Sequence, residues 1–209
     1  MNALKLKMAP PNEKPASKEL EILEVAAGYF LSHGYRGTSI SGMAREAGIS
    51  KESIYRYFRS KQALFEAVIA RELAEYRRRL EFLDAEEDRR GFQETLASAA
   101  ESILSVISSE RTLALRRLIF QEARGTPEIG AYYYEIGPRE AYRYLASIFE
   151  KHRQGARQTP ETLARNFVAL ALHYDTLRLE CGVTGSLSRK QVKSRAARVT
   201  KEFLEVYFE

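Results

Sequence analysis

The stretch Gly48–Phe58, GISKESIYRYF, has the length of a short helix but not the composition of one that packs inside a core. Two serines, two tyrosines, Lys51 and Arg56 stand among its eleven residues. A buried helix needs an apolar stripe, and polar groups that are buried without partners destabilise a fold. The composition therefore predicts that something other than the protein's own core covers one face of this helix.

The preceding segment, TSISGMAREA (Thr38–Ala47), predicts a partner for it. Two short helices, about Ser39–Ala47 and Lys51–Phe58, are separated by Gly48-Ile49-Ser50, and Gly48 can take the positive φ of a tight turn without a Cβ penalty. Such a pair is typical of a helix-turn-helix unit. The predicted inner face consists of Ile40, Met43, Ala44, Ala47, Ile49, Ile54 and Phe58.

The outer face of the second helix suits DNA. A major groove accepts short donors and acceptors near the start of an inserted helix, while cations and phenols beside them reach phosphates. Residues 1–61 also hold ten Lys/Arg against six Asp/Glu, and residues 62–209 hold 23 against 22. This basic N-terminal third indicates either a polyanion partner or chance scatter on a solvated surface. The outer-face residues are Lys51, Glu52, Ser53, Tyr55, Arg56 and Tyr57.

The composition limits the class of protein. With 209 residues and 44% hydrophobic content, the chain can bury a sizeable core. The single Cys181 excludes an internal disulfide framework and suits a reducing compartment. No apolar run approaches the ~20 residues of a membrane span, and the N-terminal stretch lacks the apolar centre of a signal peptide. We therefore predict a cytoplasmic protein with no membrane contact.

The order of helix signals predicts an all-α chain of about nine helices, because apolar positions recur at three and four rather than at two. We predict a disordered basic arm over residues 1–16, a helix-turn-helix DNA-binding domain over 17–65, and a larger domain over 66–209. One continuous helix, from Lys61 to about Leu83, is predicted to link the two domains. The acidic patch Asp84–Asp88 is predicted to be a solvated connection.

The longer string GYRGTSISGMAREAGISKESIYRYFRSKQALF (Gly34–Phe65) closely resembles the N-terminal domain of the TetR family of repressors. The matching features are the Ala-Gly-Ile-Ser turn, the Tyr55 and Phe58 pair, and Ser60-Lys61 before Leu64. The resemblance is strong over about residues 17–70. Farther on, Arg116–Glu150 looks like the C-terminal domain of the AefR-like subgroup.

The resemblance implies a role for each matching residue. Thr38 and Ser39 are expected at DNA phosphate, at the entry to the second helix. Glu52 departs from the small or neutral residue often found there, so it either accepts from a cytosine amino group or stabilises the helix N-terminus. The partner of Arg56 is left open. Base contacts are expected from Lys51, Glu52 and Ser53, and phosphate contacts from Tyr55, Tyr57 and Lys61.

The resemblance also implies dimerisation and an inducer pocket in the larger domain. The dimer helices are expected to use the stripes Leu163, Phe167, Leu170, Ala171, Tyr174, Leu177 and Val192, Val199, Phe203, Val206, although ordinary core packing explains each residue equally well. His173 is either a ligand contact or a hydrogen-bonded core residue. The candidate pocket residues are Phe120, Tyr132, Tyr142, Phe167, His173 and Tyr174.

Two functions compete at this point. The first is a homodimeric regulator, a repressor that a small apolar or aromatic inducer releases from an inverted-repeat operator in double-stranded DNA. The second is a helical protein-interaction module without sequence-specific DNA binding. An enzyme is not expected, because the sequence has no Gly-rich phosphate loop, no cysteine near a histidine and no His/Cys cluster with metal-ligand spacing. No metal and no cofactor is expected either.

Overall fold

A computed structural model describes residues 17–86, 91–156 and 158–208, without the side chains of residues 17, 82, 84–86, 173 and 175. The predicted arm, residues 1–16, lies outside the described residues. The described parts contain eleven helices and no strand, which confirms the all-α prediction. The helices are α1 Ser17–Gly37, α2 Ile40–Ala47, α3 Lys51–Tyr57, α4 Lys61–Glu72, α5 Ala74–Glu86, α6 Phe92–Ile107, α7 Glu110–Glu122, α8 Pro127–Ile136, α9 Pro138–Lys151, α10 Pro160–Glu180 and α11 Arg189–Tyr207.

Serine caps set the starts of the three helices after α1. The hydroxyl oxygens of Ser39, Ser50 and Ser60 accept from backbone N–H groups in the first turns of α2, α3 and α4, at 2.9, 3.1 and 3.0 Å. Such caps satisfy donors that a helix start leaves without partners. At the start of α11, Ser188 and Gln191 form a capping box, in which each side chain bonds the other residue's backbone N–H. Local sequence therefore determines where these helices begin.

The predicted continuous helix from Lys61 to about Leu83 is wrong, because the structure divides it at Leu73. The Leu73 N–H closes α4 by donating to the Ile69 carbonyl at 3.1 Å, and α5 begins at the next residue. Leu73 is buried in one hydrophobic cluster and Tyr76 in another, so packing overrides a helical pattern that has no local breaker. The predicted acidic connection is also partly helical, since α5 extends to Glu86.

Two hydrophobic clusters make up the core. The first joins α1–α4 to α7 and α8, and the second joins α5, α6, α9, α10 and α11. The chain also breaks at Gly137, where α8 of the first cluster ends and α9 of the second begins. The two breaks touch: a Cβ on Gly137 would lie 3.1 Å from Leu73 Cδ1. We call this the helix-break contact.

Ion pairs fasten both ends of α7 to α1. Near the start of α7, Arg111 Nη1 lies 2.7 Å from Glu24 Oε1 of α1. Near its end, Glu122 Oε2 lies 3.2 Å from Arg36 Nε of α1. Between these pairs Leu115 and other apolar residues of α7 enter the first cluster. We call the two pairs the end clamps; their order shows that α1 and α7 run in the same direction.

Candidate nucleic-acid interface

The turn between α2 and α3 holds the two helices in a fixed crossing. Gly48 has φ 64°, in the left-handed region that favours glycine, and the Ile49 N–H donates to the Ala44 carbonyl at 2.9 Å. Ile49 and Ile54 are buried beneath the turn. The predicted inner face is thus confirmed: Ile40, Met43, Ala44, Ile49, Ile54 and Phe58 are buried and Ala47 is half-buried.

The opposite face of α3 is open to solvent. Two cations lie near phenol rings, with Lys51 Nζ 5.7 Å from the Tyr55 ring centroid and the Arg56 guanidinium carbon 5.5 Å from that of Tyr57. Such contacts hold the cations beside the phenols without removing either from the surface. Glu52 lies in the first turn of α3, where a carboxylate suits the helix dipole. Lys51, Glu52, Tyr55 and Arg56 are exposed, and Ser53 and Tyr57 are half-buried.

Thr38 and Ser39, the two residues predicted at the entry to α2, differ in their exposure to solvent. Thr38 is only 3% exposed, and its hydroxyl donates to the Gly34 carbonyl at 2.7 Å. Ser39 is exposed; its oxygen accepts from Gly42 N–H, so its own proton can be donated to a phosphate. Ser39 is therefore the one of the pair whose side chain reaches the surface.

Lys61 holds the chain between α1 and α2. Its ammonium donates to the carbonyls of Tyr35 and Thr38 at 2.9 and 3.0 Å, and it lies 4.6 Å from the Tyr35 ring centroid. The predicted phosphate contact of Lys61 stays a prediction. In the structure this side chain positions the segment that carries Ser39.

The sequence reasoning missed Tyr29 of α1. Its ring stacks on His33 at a centroid distance of 4.1 Å, and its hydroxyl lies 3.1 Å from the place of a Cβ on Gly42, in the first turn of α2. A phenol here stands beside Ser39 at the same surface. The available signal was a Tyr and a His four residues apart in α1, with His33 exposed and Tyr29 half-buried against the first hydrophobic cluster.

The predicted pocket residues do not gather around one cavity in the described structure. Phe120 is 55% exposed and Tyr174 is 61% exposed, whereas Phe167 is fully buried between Phe149 and Phe203. The side chain of His173 lies outside the described residues. Tyr132 packs against the first hydrophobic cluster and Tyr142 against the second.

Tyr132 and Tyr142 flank the break between α8 and α9. Burial raises the pKa of both phenols, so they stay protonated and can donate hydrogen bonds. A cleft of about 280 Å³ lies nearby between α5 and α9. It is lined by Arg77, Leu80, Glu81, Glu140, Arg143, Tyr144 and Ser147.

The dimer stripes also divide into core and surface. Leu163, Phe167, Ala171, Val192, Val199 and Phe203 are buried within the chain. Leu170 and Leu177 of α10 are 39% and 59% exposed, and Val206 of α11 is 71% exposed. Only these exposed members, with Tyr174, are available to a partner.

No helix among the described residues is long and apolar enough to cross a bilayer. No group of three or more metal-binding side chains occurs in that part of the chain either.

Comparison with known proteins relates both parts of the chain to bacterial regulators. Residues 22–68 match the family described as bacterial regulatory proteins, tetR family. Residues 94–209, more than half of the chain, match the AefR-like transcriptional repressor C-terminal domain. The second match bears out the weaker resemblance over Arg116–Glu150.

Individual relatives agree with these matches. The protein named mycofactocin biosynthesis transcriptional regulator MftR, from Mycobacterium tuberculosis, is 29% identical over 156 residues, which cover 72% of this chain and 74% of that protein. The HTH-type transcriptional repressor KstR2 of Mycolicibacterium smegmatis is 38% identical over 63 residues, covering 30% of this chain and 31% of that protein.

Solved structures share the whole architecture. A TetR-family transcriptional regulator from Mesorhizobium loti superposes with a TM-score of 0.73 at 28% identity, covering 95% of this chain and 100% of that one. The flavonoid-responsive regulator FrrA superposes with a TM-score of 0.72 at 28% identity, covering 90% and 96%.

Proposed function

Because the chain belongs to the TetR family and is a transcriptional regulator rather than an enzyme, we propose that it is a homodimeric repressor. It binds an inverted-repeat operator and is released by a small apolar or aromatic molecule. The observation that carries the DNA part is the solvent-exposed outer face of α3, which rests on a buried apolar face. Helices of this kind enter the major groove with their N-terminal residues against base edges.

The direct test of DNA binding is a gel shift with genomic fragments over a series of salt concentrations. Phosphate contacts release counterions, so binding should weaken steeply as salt rises and should select some fragments over others. Absence of selective binding at every salt concentration would favour the protein-interaction module instead. Selection of bound sites from random DNA then gives the operator, which should be an inverted repeat.

Tyr55→Phe and Ser53→Ala are expected to affect DNA binding differently. Loss of the Tyr55 hydroxyl should weaken binding to all sequences alike, because phosphate contacts position a protein without reading sequence. Loss of the Ser53 hydroxyl should change the preferred bases. Binding-site selection with both variants measures this. A shifted preference for Tyr55→Phe with an unchanged one for Ser53→Ala would reverse the assigned roles.

Exposed apolar side chains support a dimer through α10 and α11. Leu170 and Leu177 lie on the exposed face of α10, and Val206 lies on the exposed face of α11. The opposite faces of both helices are buried in the core. A second copy of the chain would cover them, and a two-fold axis would bring two α3 helices to half-sites about 34–36 Å apart. Sedimentation of a monomer that binds one asymmetric site at full affinity would contradict the proposal.

The helix-break contact supports a route from ligand to DNA. The cleft between α5 and α9 borders the second cluster through Leu80 and Tyr144. The preceding helices, α4 and α8, belong to the first cluster. A ligand that prefers one angle between α4 and α5 at Leu73, and between α8 and α9 at Gly137, would shift α4. The shift of α4 would in turn move α3. The flavonoid-responsive relative FrrA supports an aromatic ligand. Each ~1.4 kcal/mol of preference for the non-binding form weakens operator binding about tenfold.

Gly137→Ala is expected to change operator affinity or inducer response while the chain stays folded. The new methyl group would lie 3.1 Å from Leu73 Cδ1 and 3.2 Å from the Tyr133 carbonyl oxygen, which is closer than ordinary van der Waals contact. The Leu73 side chain or the backbone at the break must therefore shift by a few tenths of an ångström. Gly28→Ala is a matched control, since nothing lies within 4 Å of its added Cβ. Operator titrations with and without inducer measure the effect. Equal behaviour of both variants and the parent protein would show that the contact transmits nothing.

A further inference from the structure

Tyr29 of α1 places a phenol hydroxyl at the start of α2. Its ring is half-buried against the first hydrophobic cluster, and its hydroxyl oxygen lies 3.1 Å from the position that a Cβ on Gly42 would take. The hydroxyl oxygen of Ser39 lies 2.9 Å from the same position. Two hydroxyl groups, one from α1 and one from the cap of α2, are therefore neighbours at the first turn of α2.

The Tyr29 hydroxyl is open to solvent. No described residue forms a hydrogen bond with it, and it is not one of the hydroxyls that are buried without a partner. A phenylalanine ring would pack against the same core, so the fold does not account for the polar end of this side chain. The hydroxyl is free to bond a group outside the chain.

The Ser39 hydroxyl is in the same position to donate. Its oxygen accepts from Gly42 N–H at 2.9 Å, which leaves its own proton available. The helix before a recognition helix crosses the DNA backbone, so the start of α2 faces phosphates when α3 lies in the major groove. Both hydroxyls are then turned towards the same part of the backbone.

Gly42 leaves the space in which the two hydroxyls meet. A Cβ at this position would lie closer to both oxygens than ordinary van der Waals contact allows. Glycine is the least favourable residue after proline inside a helix, so the stability of α2 does not explain its presence in the first turn.

His33 restricts the orientation of the phenol. Its ring stacks on that of Tyr29 at a centroid distance of 4.1 Å, with 18° between the ring planes. Its Nδ1 lies 3.1 Å from the Tyr29 carbonyl oxygen, and the side chain is otherwise exposed. A side chain that is already ordered loses less conformational freedom when it binds, so the stack favours binding by the Tyr29 hydroxyl.

The carboxylates of the groove between α1 and α2 leave the two hydroxyls open to an anion. Glu24 is paired with Arg71 at 2.6 Å and with Arg111 at 2.7 Å. Glu46 lies seven residues beyond Ser39, which is about 10 Å along the helix.

We propose that the hydroxyls of Tyr29 and Ser39 together bind one phosphate of the operator backbone, with His33 as a positioning residue for the phenol. Hydroxyl groups form short, charge-assisted hydrogen bonds with phosphate oxygens, and one phosphate offers two free oxygens to two donors. The inference rests on the proposed DNA binding by α3 and adds to it a contact from α1. A phosphate contact of this kind positions the protein on DNA without reading its sequence.

Tyr29→Phe tests the contact, because it removes only the hydroxyl. Fluorescence anisotropy titrations of the full chain should show binding to the selected operator and to a random-sequence duplex weakened alike, by about tenfold. The slope of log Kd against log salt concentration should not change, since a neutral hydroxyl releases no counterions. Tyr134→Phe is the matched control: it removes an exposed phenol hydroxyl from α8 and should change both affinities less than about twofold.

The outcomes separate this contact from DNA binding as a whole. If the parent protein binds DNA selectively and Tyr29→Phe binds both duplexes as tightly as the parent, the phosphate contact is wrong and the proposed function stands. Weakening confined to the operator would make Tyr29 a base contact and would also overturn the proposal. A parent protein that binds neither duplex would overturn both the contact and the proposed function.

Gly42→Ala tests whether the two hydroxyls share a site. The added methyl group displaces both oxygens, so binding to both duplexes should weaken at least as much as in Tyr29→Phe. Gly28→Ala in α1 is the control, because nothing lies within 4 Å of its added Cβ. Tyr29→Phe combined with Gly42→Ala should lose little more than Gly42→Ala alone. Losses that add in full would mean that the two positions act independently, which contradicts a shared phosphate.

His33→Ala and His33→Phe test the positioning role. His33→Ala should weaken binding to both duplexes less than Tyr29→Phe does, and it should have no further effect in the Tyr29→Phe background. His33→Phe keeps a ring for the stack and should restore the parent affinity. Equal losses in the two His33 variants would point to a direct contact of His33 with DNA and would overturn its positioning role. Thermal unfolding of each variant confirms that the compared proteins are equally folded.

Discussion

Phe149→Ala is expected to lower the free energy of unfolding by about 3–5 kcal/mol, the range for a large aromatic residue removed from a packed core. Phe149 is fully buried, and its ring lies 5.4 Å from that of Phe203 and 6.2 Å from that of Phe167. The substitution removes the centre of an aromatic cluster that joins α9, α10 and α11. Denaturant unfolding followed by circular dichroism measures the loss.

Phe120→Ala is the control for this prediction. Phe120 is 55% exposed, so the same chemical change removes little buried surface and should cost less than about 1 kcal/mol. Equal losses for the two variants would mean that the aromatic cluster around Phe149 does not carry the stability of the second core.

Arg36→Met is expected to destabilise the chain by about 1–3 kcal/mol, because it leaves the Glu122 carboxylate buried without its charged donor. The Glu122 side chain is 5% exposed, although that of Arg36 is 72% exposed. Operator binding should weaken as well, since Arg36 lies just before Ser39 in the chain. Denaturant unfolding and operator titration measure the two effects. Arg79→Met, which breaks an exposed pair with Glu75, should cost less than about 0.5 kcal/mol.

Gly125→Ala probes the same clamp from the other side. An added Cβ would overlap the Arg36 guanidinium, which lies directly against Gly125. The guanidinium must move away, so the variant should lose most of what Arg36→Met loses. The effects of the two substitutions should not add when combined, because both remove one interaction. If the two losses of stability added in full, Gly125→Ala would act by some route other than the Arg36–Glu122 pair.

Local signals in the sequence predicted the DNA-binding unit well. Gly48 and the apolar positions around Ile54 each act within a few residues of their own position, and the structure has the turn and the buried face that they predict. The break between α8 and α9 also has a local cause, because Pro138 follows Gly137 and opens α9. These features follow from backbone preferences that hold in any fold.

Features that depend on contacts between distant residues could not be predicted from local sequence signals. The break at Leu73 arises because neighbouring residues enter different clusters, and no residue there breaks a helix by itself. The end clamps join residues 86 and 87 positions apart. The same limit applies to Phe167: helical spacing placed it equally well in a pocket, a dimer face or a core, and three-dimensional packing chose the core.

The shared first cluster has a consequence for engineering. Leu115, Leu118 and Ile119 of α7 and Ile129 of α8 are buried with the side chains of α1–α4. A hybrid regulator that joined residues 17–73 of this chain to the sensor of another would replace those apolar partners and both end clamps with unrelated surface. The transferable part is therefore not a contiguous piece of sequence. Specificity for a new operator is better introduced by changing the outer face of α3 within the intact chain, where no core contact has to be rebuilt.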